Sequence, residues 1–167
     1  MPVISGGVVQ GPGRILQQTI RFTEAAGNNA AGTYNGSVTI PAYALILDII
    51  IYGQALWNSS GAAGLIVGDT QGSGSPDPDG LVATVDLKAT DLLAAEGISL
   101  SGGTGLAGGK VGADIANSQF NRRRLTVERI ITGTVTMAAA SGTTGVTDLT
   151  VIYTDPTTVI AATFTAS

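Results

Sequence analysis

Apolar and polar residues alternate along most of this chain, which is the pattern of a β-strand that buries one face. In residues 14–23, Leu16, Ile20 and Phe22 share one face of an extended strand, and polar side chains lie between them. Helical periodicity is nearly absent. The alternation predicts strands over residues 14–23, 34–40, 44–52, 64–67, 81–87, 125–137, 147–154 and 159–164.

Two of the predicted strands carry special features. Residues 44–52 (ALILDIIIY) form a continuous apolar run, which is typical of a central strand buried on both faces. Asp48 interrupts this run, so its carboxylate has to reach a strand end, a partner or water. Gly133, inside the long segment 125–137, predicts a bulge or a bend because glycine weakens a regular strand.

One segment favours a helix: residues 89–96 (ATDLLAAE), with Thr90 as the N-cap and Gly97 as the C-terminal stop. Short strands separated by turn residues predict an all-β fold, a single antiparallel β-sandwich of the jelly-roll type with about eight strands. We expect this domain to span residues 14–167, and residues 1–13 to form an extended N-terminal arm.

The composition removes several kinds of chemistry. The 167 residues include no cysteine, which excludes disulfides, thiolate metal sites and cysteine nucleophiles. They include no histidine, the commonest general base and metal ligand. Only 12% of residues are charged and the mean hydropathy is +0.33. Either the core is large for the chain, or partner subunits cover much of the surface.

Neither nucleic acid nor a membrane is predicted as a partner. The chain carries 8 Lys and Arg against 12 Asp and Glu, a formal net charge of -4, whereas nucleic-acid binders normally present a basic surface. The most apolar stretch, residues 42–52, is well short of the roughly 20 residues needed to span a bilayer. The start of the chain does not have the pattern of a signal peptide.

The sequence gives little support for a catalytic site or a cofactor-binding motif. Gly103, Gly105 and Gly108 match the spacing of the dinucleotide-binding fingerprint, but the glycine-rich residues after them disfavour the helix that this motif requires. No cofactor is therefore predicted. Without histidine, the remaining bases are Lys88, Lys110 and the carboxylates, and none is spaced to activate a nucleophile. A hydrolase with paired carboxylates stays open, because such pairs lie far apart in sequence. We expect a protein that is not an enzyme.

Asp69, Asp77 and Asp79 cluster in a glycine-rich segment, residues 68–80. Several carboxylates on one turn could bind calcium through hard oxygen ligands. The spacing does not match the calcium loop of helix-loop-helix proteins, and Asp-Pro-Asp-Gly is a turn-forming sequence in its own right. A turn is the favoured interpretation, and these three residues are the weak candidates for a metal site.

Three features suggest contacts with partner proteins. Arg122, Arg123 and Arg124 form the one charge run, which suits either a solvated loop or an acidic patch on a neighbouring subunit. Trp57 directly follows the most apolar strand and is equally suited to anchor the core or an interface. The N-terminal arm, with Val3 and Ile4, is expected to lie on a partner.

The order of several short motifs along the chain is similar to that of a known group of proteins. An Ile-Pro-Ala step (residues 40–42) leads into an apolar strand, followed by Val-Gly-Asp (67–69), Asp-Pro-Asp-Gly-Leu-Val-Ala (77–83) and Asp-Leu (86–87), and the chain closes on Leu-Thr-Val-Ile-Tyr (149–153). This pattern resembles small virion proteins of tailed phages, including capsid decoration (cement) proteins and minor structural proteins with jelly-roll-like sandwiches.

The resemblance implies a protein on the outer capsid surface that binds the major capsid protein or other virion subunits and clamps them against internal pressure. It also implies a homo-oligomer, with a trimer favoured, and contacts through Arg122–Arg124 and the N-terminal segment. Two alternatives remain open: another virion component, such as a head fibre base, a tail component or a capsid subunit, and a carbohydrate-binding sandwich module. The last usually displays several exposed aromatic side chains, and this chain has only 1 Trp and 4 Tyr.

Overall fold

The computed structural model of this chain describes residues 14–24, 31–69, 77–89, 98–99, 126–139 and 142–154, and every regular element in these ranges is a β-strand. The predicted all-β class is therefore confirmed for the described part of the chain. The strands are β1 (Ile15–Thr23), β2 (Gly32–Ile40), β3 (Ile46–Ala55), β4 (Ala63–Asp69), β5 (Asp77–Asp86), β6 (Ile98–Ser99), β7 (Arg129–Met137) and β8 (Val146–Thr154).

The strands form two four-stranded sheets, with the orders β1-β8-β3-β6 and β2-β7-β4-β5. We call them the β1 sheet and the β2 sheet. All of their pairs are antiparallel. The pairing is nested: the first strand pairs with the eighth, the second with the seventh, the third with the sixth and the fourth with the fifth.

The inner faces of the two sheets enclose one hydrophobic core, which makes the fold sandwich-like. The alternation predicted for β1 is confirmed, since Phe22 is buried, Leu16 and Ile20 pack against the core, and Gln17, Thr19 and Arg21 are exposed on the opposite face. Each fully buried aliphatic side chain contributes about 1.5–3 kcal/mol through burial. The largest fully buried apolar side chains are Ile40, Ile46, Ile49, Ile51, Leu65, Leu81, Leu87, Ile131 and Leu149.

The prediction that residues 44–52 are buried on both faces is wrong. The strand begins at Ile46, and only one of its faces is buried, because Tyr52 on the other face is 38% exposed. The register with β8 shifts between Ile46 and Asp48. This irregularity places Leu47 and Asp48 in succession outside the core, and the Asp48 carboxylate accepts a hydrogen bond from the Ile49 amide at 2.8 Å.

The prediction of a bulge or bend at Gly133 is also wrong. Gly133 pairs with Gly36 of β2 and Val67 of β4, and the register is continuous through it. A Cβ atom at position 133 would lie 2.6 Å from Leu149 Cδ2 and 3.0 Å from Phe22 Cζ, both from the opposite sheet. Glycine is required there because the two sheets approach closely, and not because the strand bends.

Several strand limits differ from the predictions. The strand predicted over 81–87 begins at Asp77, the one over 64–67 extends to Asp69, and the one over 125–137 begins at Arg129. The N-terminal arm, the strand at 159–164 and all but the first residue of the helix at 89–96 lie outside the described residues. Among the described residues, no helix is long and apolar enough to cross a membrane.

Candidate interaction surfaces

The sandwich has two ends that differ in chemistry. One end, which we call the Glu24 end, contains the last residues of β1, β3 and β7 and the loops that join β3 to β4 and β7 to β8. At the other end, Gln18 donates a hydrogen bond to the Thr39 carbonyl and the Thr154 amide bonds the Leu45 carbonyl. These bonds bring together the start of β1, the turn between β2 and β3, and the end of β8. We call this the Tyr43 end.

A buried carboxylate organises the Glu24 end. Glu24 is 1% exposed, and its carboxylate accepts hydrogen bonds from the backbone amides of Asn58 (3.0 Å), Ser59 (2.9 Å) and Gly145 (2.9 Å). The Glu24 amide in turn donates to the Gly145 carbonyl at 2.8 Å. One side chain thus ties the end of β1 to the β3–β4 loop and to the β7–β8 loop.

The protonation of Glu24 reflects two opposing effects. Burial raises the pKa of the carboxyl group, because a charge is poorly solvated in the protein interior. The backbone hydrogen bonds, from Asn58, Gly145 and Ser59 among others, lower it by stabilising the charged form, and the net pKa lies below the ordinary value. Glu24 is therefore a charged group that its own backbone fully engages.

Trp57 belongs to the same end. It is 4% exposed, and its indole Nε1 donates to Thr147 Oγ1 at 2.9 Å. Gly145 lies flat against the ring, because a Cβ atom there would come within 2.7 Å of Cδ1. Lys88 Nζ donates to the carbonyls of Ser59 (2.6 Å) and Gly61 (3.1 Å) and holds the adjoining loop. Of the two roles considered for Trp57, the structure places it in the core of its own chain, with almost no surface left for a partner.

The three aspartates proposed as calcium candidates lie on β4 and β5 of the β2 sheet. Asp69 is the last residue of β4, and Asp77 and Asp79 lie at the start of β5. Asp69 is buried, and its carboxylate accepts from Arg129 Nη1 at 3.0 Å in an ion pair whose side chains are 4% and 1% exposed. Asp77 lies opposite Asp69 in the strand register, and the Asp79 amide donates to the Asp77 carboxylate at 3.4 Å. Among the described residues, no group of three or more acidic side chains is arranged to hold a metal ion. The Arg129 ion pair engages Asp69 instead.

Four exposed apolar side chains lie towards the Tyr43 end of the strands, with Ile15 on the outer face of the β1 sheet and Ile130 on the outer face of the β2 sheet. Ile15 is 67% exposed, Val127 47%, Tyr43 45% and Ile130 39%. Ile15 starts β1, Val127 and Ile130 flank the start of β7, and Tyr43 lies in the turn that leaves β2. Of the described large apolar residues that are exposed, only Tyr52 lies elsewhere, on the outer face of the β1 sheet.

Tyr43 also has an unusual backbone. Its φ of 65° lies in the left-handed region, and it has the only positive φ among the described non-glycine residues. The turn is closed by a hydrogen bond from the Ala44 amide to the Pro41 carbonyl at 3.2 Å. A bulky residue in this conformation costs about 1–2 kcal/mol relative to the right-handed regions.

On the outer face of the β2 sheet, no charged side chain lies along β2, β4 and β7, all three of which are described in full, whereas the exposed Asp86 lies on the edge strand β5, opposite Gly64. Hydroxyl and amide side chains form cross-strand pairs on it, and the Ser37 and Thr132 hydroxyls are hydrogen bonded at 2.9 Å. We call this surface the threonine face. Its outward residues are Thr33, Asn35, Ser37, Thr39, Gly64, Ile66, Ile130, Thr132, Thr134 and Thr136.

The outer face of the β1 sheet is different, because it carries charges that bond to one another. Arg21 contacts Asp148 through two hydrogen bonds, Nε to Oδ1 at 2.8 Å and Nη2 to Oδ2 at 2.9 Å, and Gln54 donates to Asp148 at 2.6 Å. The hydrogen bond from Arg21, despite partial burial, holds the pKa of Asp148 below its ordinary value. The two sheets therefore present unlike surfaces to a partner.

The remaining predicted contact residues, Arg122, Arg123, Arg124, Val3 and Ile4, lie outside the described residues, so their roles stay predictions. The described chain resumes after the arginine run at Thr126 and after the arm at Arg14, and both points lie at the Tyr43 end.

Sequence reasoning missed Glu24, Arg129 and Tyr43. The sequence did contain a signal for Glu24. An isolated carboxylate directly after a predicted strand, in a chain with few charges, must either form hydrogen bonds within the protein or be exposed to water. Its partners are backbone amides far away in sequence, which no local pattern identifies. Nothing in the sequence predicts the positive φ of Tyr43, because turns that need this conformation usually have glycine or asparagine at that position.

No protein-family model matches the chain, and no curated protein matches it. Among solved structures, the chain is similar to one described as "Capsid of Ralstonia phage GP4", with 16% sequence identity, a TM-score of 0.49 and coverage of 90% of each chain. At this identity and TM-score, the likeness does not assign a function to the chain.

Proposed function

We propose that this chain is a non-enzymatic structural subunit of a phage virion, which decorates the outer capsid surface and stabilises the shell by binding neighbouring capsid subunits. The alternatives within the same class are a head fibre base, a tail component or a capsid subunit. The resemblance of residues 40–42, 67–69 and 77–87 to virion proteins supports the class, and the surface chemistry supports the mode of action.

We further propose that the sandwich is a jelly roll. The nested pairing of first with eighth, second with seventh, third with sixth and fourth with fifth strand is what results when one long antiparallel hairpin wraps around a core.

The observation that carries the proposal is the threonine face. Charged residues are depleted from the centres of protein interfaces, because each charge buried there must be desolvated. The outward positions of β2, β4 and β7 follow this rule over three adjacent strands. The β1 sheet, with its Arg21 and Asp148 pair, does not, so we assign the shell contact to the threonine face.

The buried polar groups of the described chain support a structural role. The Glu24 carboxylate is engaged by three backbone amides and Asp69 by Arg129, so these groups act as internal ties. A general acid or base needs a proton-transfer partner in reach of a substrate, and a carboxylate 1% exposed with its oxygens occupied is poorly placed for that.

The test is binding to assembled shells. Shells built from the capsid protein encoded alongside this chain are mixed with the purified protein, sedimented, and heated to measure their melting temperature. We expect the protein to co-sediment and to raise the melting temperature. No binding to either immature or expanded shells would overturn the proposal.

A matched pair of variants locates the contact. Thr134→Lys places a charge at the centre of the threonine face, beside Asn35 and Ile66, and Thr150→Lys places the same charge at the centre of the β1 sheet. Both threonines are half-buried positions in a central strand. We expect the first variant to bind shells at least about tenfold more weakly, because an unpaired charge would be desolvated. The second should bind as the unchanged protein does.

A further inference from the structure

We propose that the free edge of β2 receives an extended segment of a partner subunit, which pairs with it as an additional strand of the β2 sheet. The inference rests on the proposed function, because the partner is a neighbouring virion subunit, and it adds a backbone contact beside the threonine face. Three features of β2 carry it: the direction of its backbone groups, the lack of edge protection, and the partly covered core next to it.

The backbone groups of alternate β2 residues point away from β7. The Ala138 amide donates to the Ala62 carbonyl at 2.9 Å, one step beyond the register pair of Ala63 and Met137. Bonded and non-bonded pairs alternate in an antiparallel ladder, so the even-numbered residues of β7 bond β4 and its odd-numbered residues bond β2. The partners of the latter are the even-numbered residues of β2. The residues whose amide and carbonyl groups lie on the free edge are therefore Thr33, Asn35, Ser37 and Thr39.

A hydrogen bond from β1 supports this direction. Gln18 Nε2 donates to the Thr39 carbonyl at 3.1 Å, so this carbonyl faces the β1 side and not β7. Among the described strands, β2 is paired with β7 alone. Thr33, Asn35 and Ser37 are exposed. Their backbone groups repeat every second residue, which is the spacing that an extended backbone matches.

The edge of β2 also lacks the usual protection against strand addition. Proteins protect a free edge with charges, prolines or bulges, because its unpaired amides and carbonyls can bind another strand. At the opposite edge of the same sheet, β5 has Pro78, three aspartates and register shifts against β4. The edge strand β1 carries Arg21. In contrast, β2 (GTYNGSVTI) contains no charge and no proline, and its register with β7 is continuous.

The hydrophobic core is only partly covered beside this edge. Leu16 and Ile20 of β1 and Tyr34 of β2 pack against the core but are not fully buried. Alternate side chains of a strand added to β2 would point towards these residues, and the others would lie next to Asn35 on the threonine face. The segment that fits is therefore uncharged, with apolar and polar side chains in alternation.

Hydrogen exchange of the isolated protein, followed by NMR, tests whether the edge is free. The amides of Thr33, Asn35 and Ser37 should exchange much faster than those of Tyr34 and Gly36, which bond β7. Slow exchange at Asn35 would mean that another part of this chain already covers the edge, and would overturn the inference.

Asn35→Pro tests the contact itself. The substitution removes an amide that the β2–β7 ladder does not use, so thermal melting should show a folded protein. An added strand would lose a hydrogen bond and meet the proline ring, and shell binding should weaken at least about tenfold. Asn35→Ala removes the same side chain but keeps the amide, and should bind far more tightly than Asn35→Pro.

Gln17→Pro is the matched control on the edge of β1. The Glu24 amide donates to the Gly145 carbonyl one step beyond the register pair of Thr23 and Val146, so the even-numbered residues of β1 bond β8. Gln17 is exposed, and its amide points away from β8 as that of Asn35 points away from β7. This variant should bind shells normally, and equal weakening by both prolines would count against a contact at β2.

The bound state provides a second measurement that needs no variant. In protein bound to shells, the fragment that contains β2 should retain about three more amide hydrogens than in the isolated protein. No gain in protection, or equal shell binding by Asn35→Pro and Asn35→Ala, would overturn this inference and leave the proposed function standing. A protein that binds no shell would overturn both.

Discussion

The two ends of the sandwich treat polar and apolar groups in opposite ways. At the Glu24 end, a carboxylate is 1% exposed and its hydrogen bonds come from the backbone of two loops. At the Tyr43 end, a tyrosine in a strained turn is 45% exposed beside other apolar side chains. The first end is completed by the chain's own residues. The second leaves large apolar side chains exposed among the described residues.

The Tyr43 end also contains a buried polar interaction. The buried pair of Asp69 and Arg129 lies beneath it and joins β4 to β7.

The largest effect is expected from breaking the buried ion pair. Arg129→Met keeps much of the side-chain volume but leaves the Asp69 carboxylate buried without its cation, which should cost about 3–5 kcal/mol of the free energy of unfolding. Urea denaturation measures the loss. The double variant Arg129→Met with Asp69→Leu should recover a large part of it, and a single variant as stable as the unchanged protein would contradict this role of the pair.

The second-largest loss of stability is expected from removing the Glu24 carboxylate. Glu24→Ala leaves the amides of Asn58, Ser59 and Gly145 without their acceptor, and we expect a loss of about 3 kcal/mol in the free energy of unfolding. The control is Glu128→Ala at the opposite end, an exposed carboxylate whose removal should change stability by less than about 0.5 kcal/mol. Similar losses for the two variants would remove the contrast between the ends.

Midway between the ends, the close approach of the sheets should be sensitive to one methyl group. Gly133→Ala puts a Cβ atom 2.6 Å from Leu149 Cδ2 and should destabilise the fold by about 1–3 kcal/mol. At Gly32 the nearest atom to an added Cβ, Tyr34 Oη, is 3.7 Å away, so Gly32→Ala is the control and should be tolerated. If both substitutions are neutral, the sheets are farther apart than described.

Acid should loosen the Glu24 end. The pKa of Glu24 is lowered in the folded protein, so its contribution to stability is fully present above the ordinary value of 4.5 and is lost as the pH falls through the folded pKa. Asp148, also with a lowered pKa, adds to the same trend. Unfolding free energy measured against pH should fall less steeply in Glu24→Gln than in the unchanged protein. Parallel curves would show that Glu24 does not titrate with folding.

The smallest effect on stability, and the only one of opposite sign, is expected at Tyr43. Tyr43→Gly relieves the positive φ and should stabilise the isolated chain by up to about 1 kcal/mol, offset by the greater freedom of glycine in the unfolded state. Differential scanning calorimetry at low concentration, where copies are apart, measures this change. A strong destabilisation would mean that Tyr43 serves the fold of its own chain.

The sequence contained enough information for the strands whose side chains alternate. β1 was predicted correctly because Leu16, Ile20 and Phe22 face the core at every second or fourth position. The prediction that β3 is buried on both faces was wrong, because a continuous apolar run does not reveal that one face of its sheet is partly exposed, as it is at Tyr52. Gly133 misled for a related reason: a glycine signals either a bend or a close approach, and only the position of Leu149 decides.

The candidate sites were harder to predict than the strands. The partners of Glu24 lie in loops that only the strand order brings together, and Asp69 meets Arg129 across the β4–β7 pair. The local sequence grouped Asp69 with Asp77 and Asp79 and favoured a turn, with calcium only as a weak candidate. The turn is wrong, because residues 77–80 begin β5, and the partner of Asp69 is sixty residues away, where spacing cannot reveal it. The Tyr43 end, likewise, is built from the start of β1, the β2–β3 turn and the end of β8, which are brought together only by folding.

Electron cryomicroscopy of capsid shells incubated with this protein tests the account most directly. It predicts density for the sandwich on the outer surface of the shell, with the threonine face against the capsid subunits. Bare shells under saturating protein, or copies attached through the β1 sheet, would contradict it.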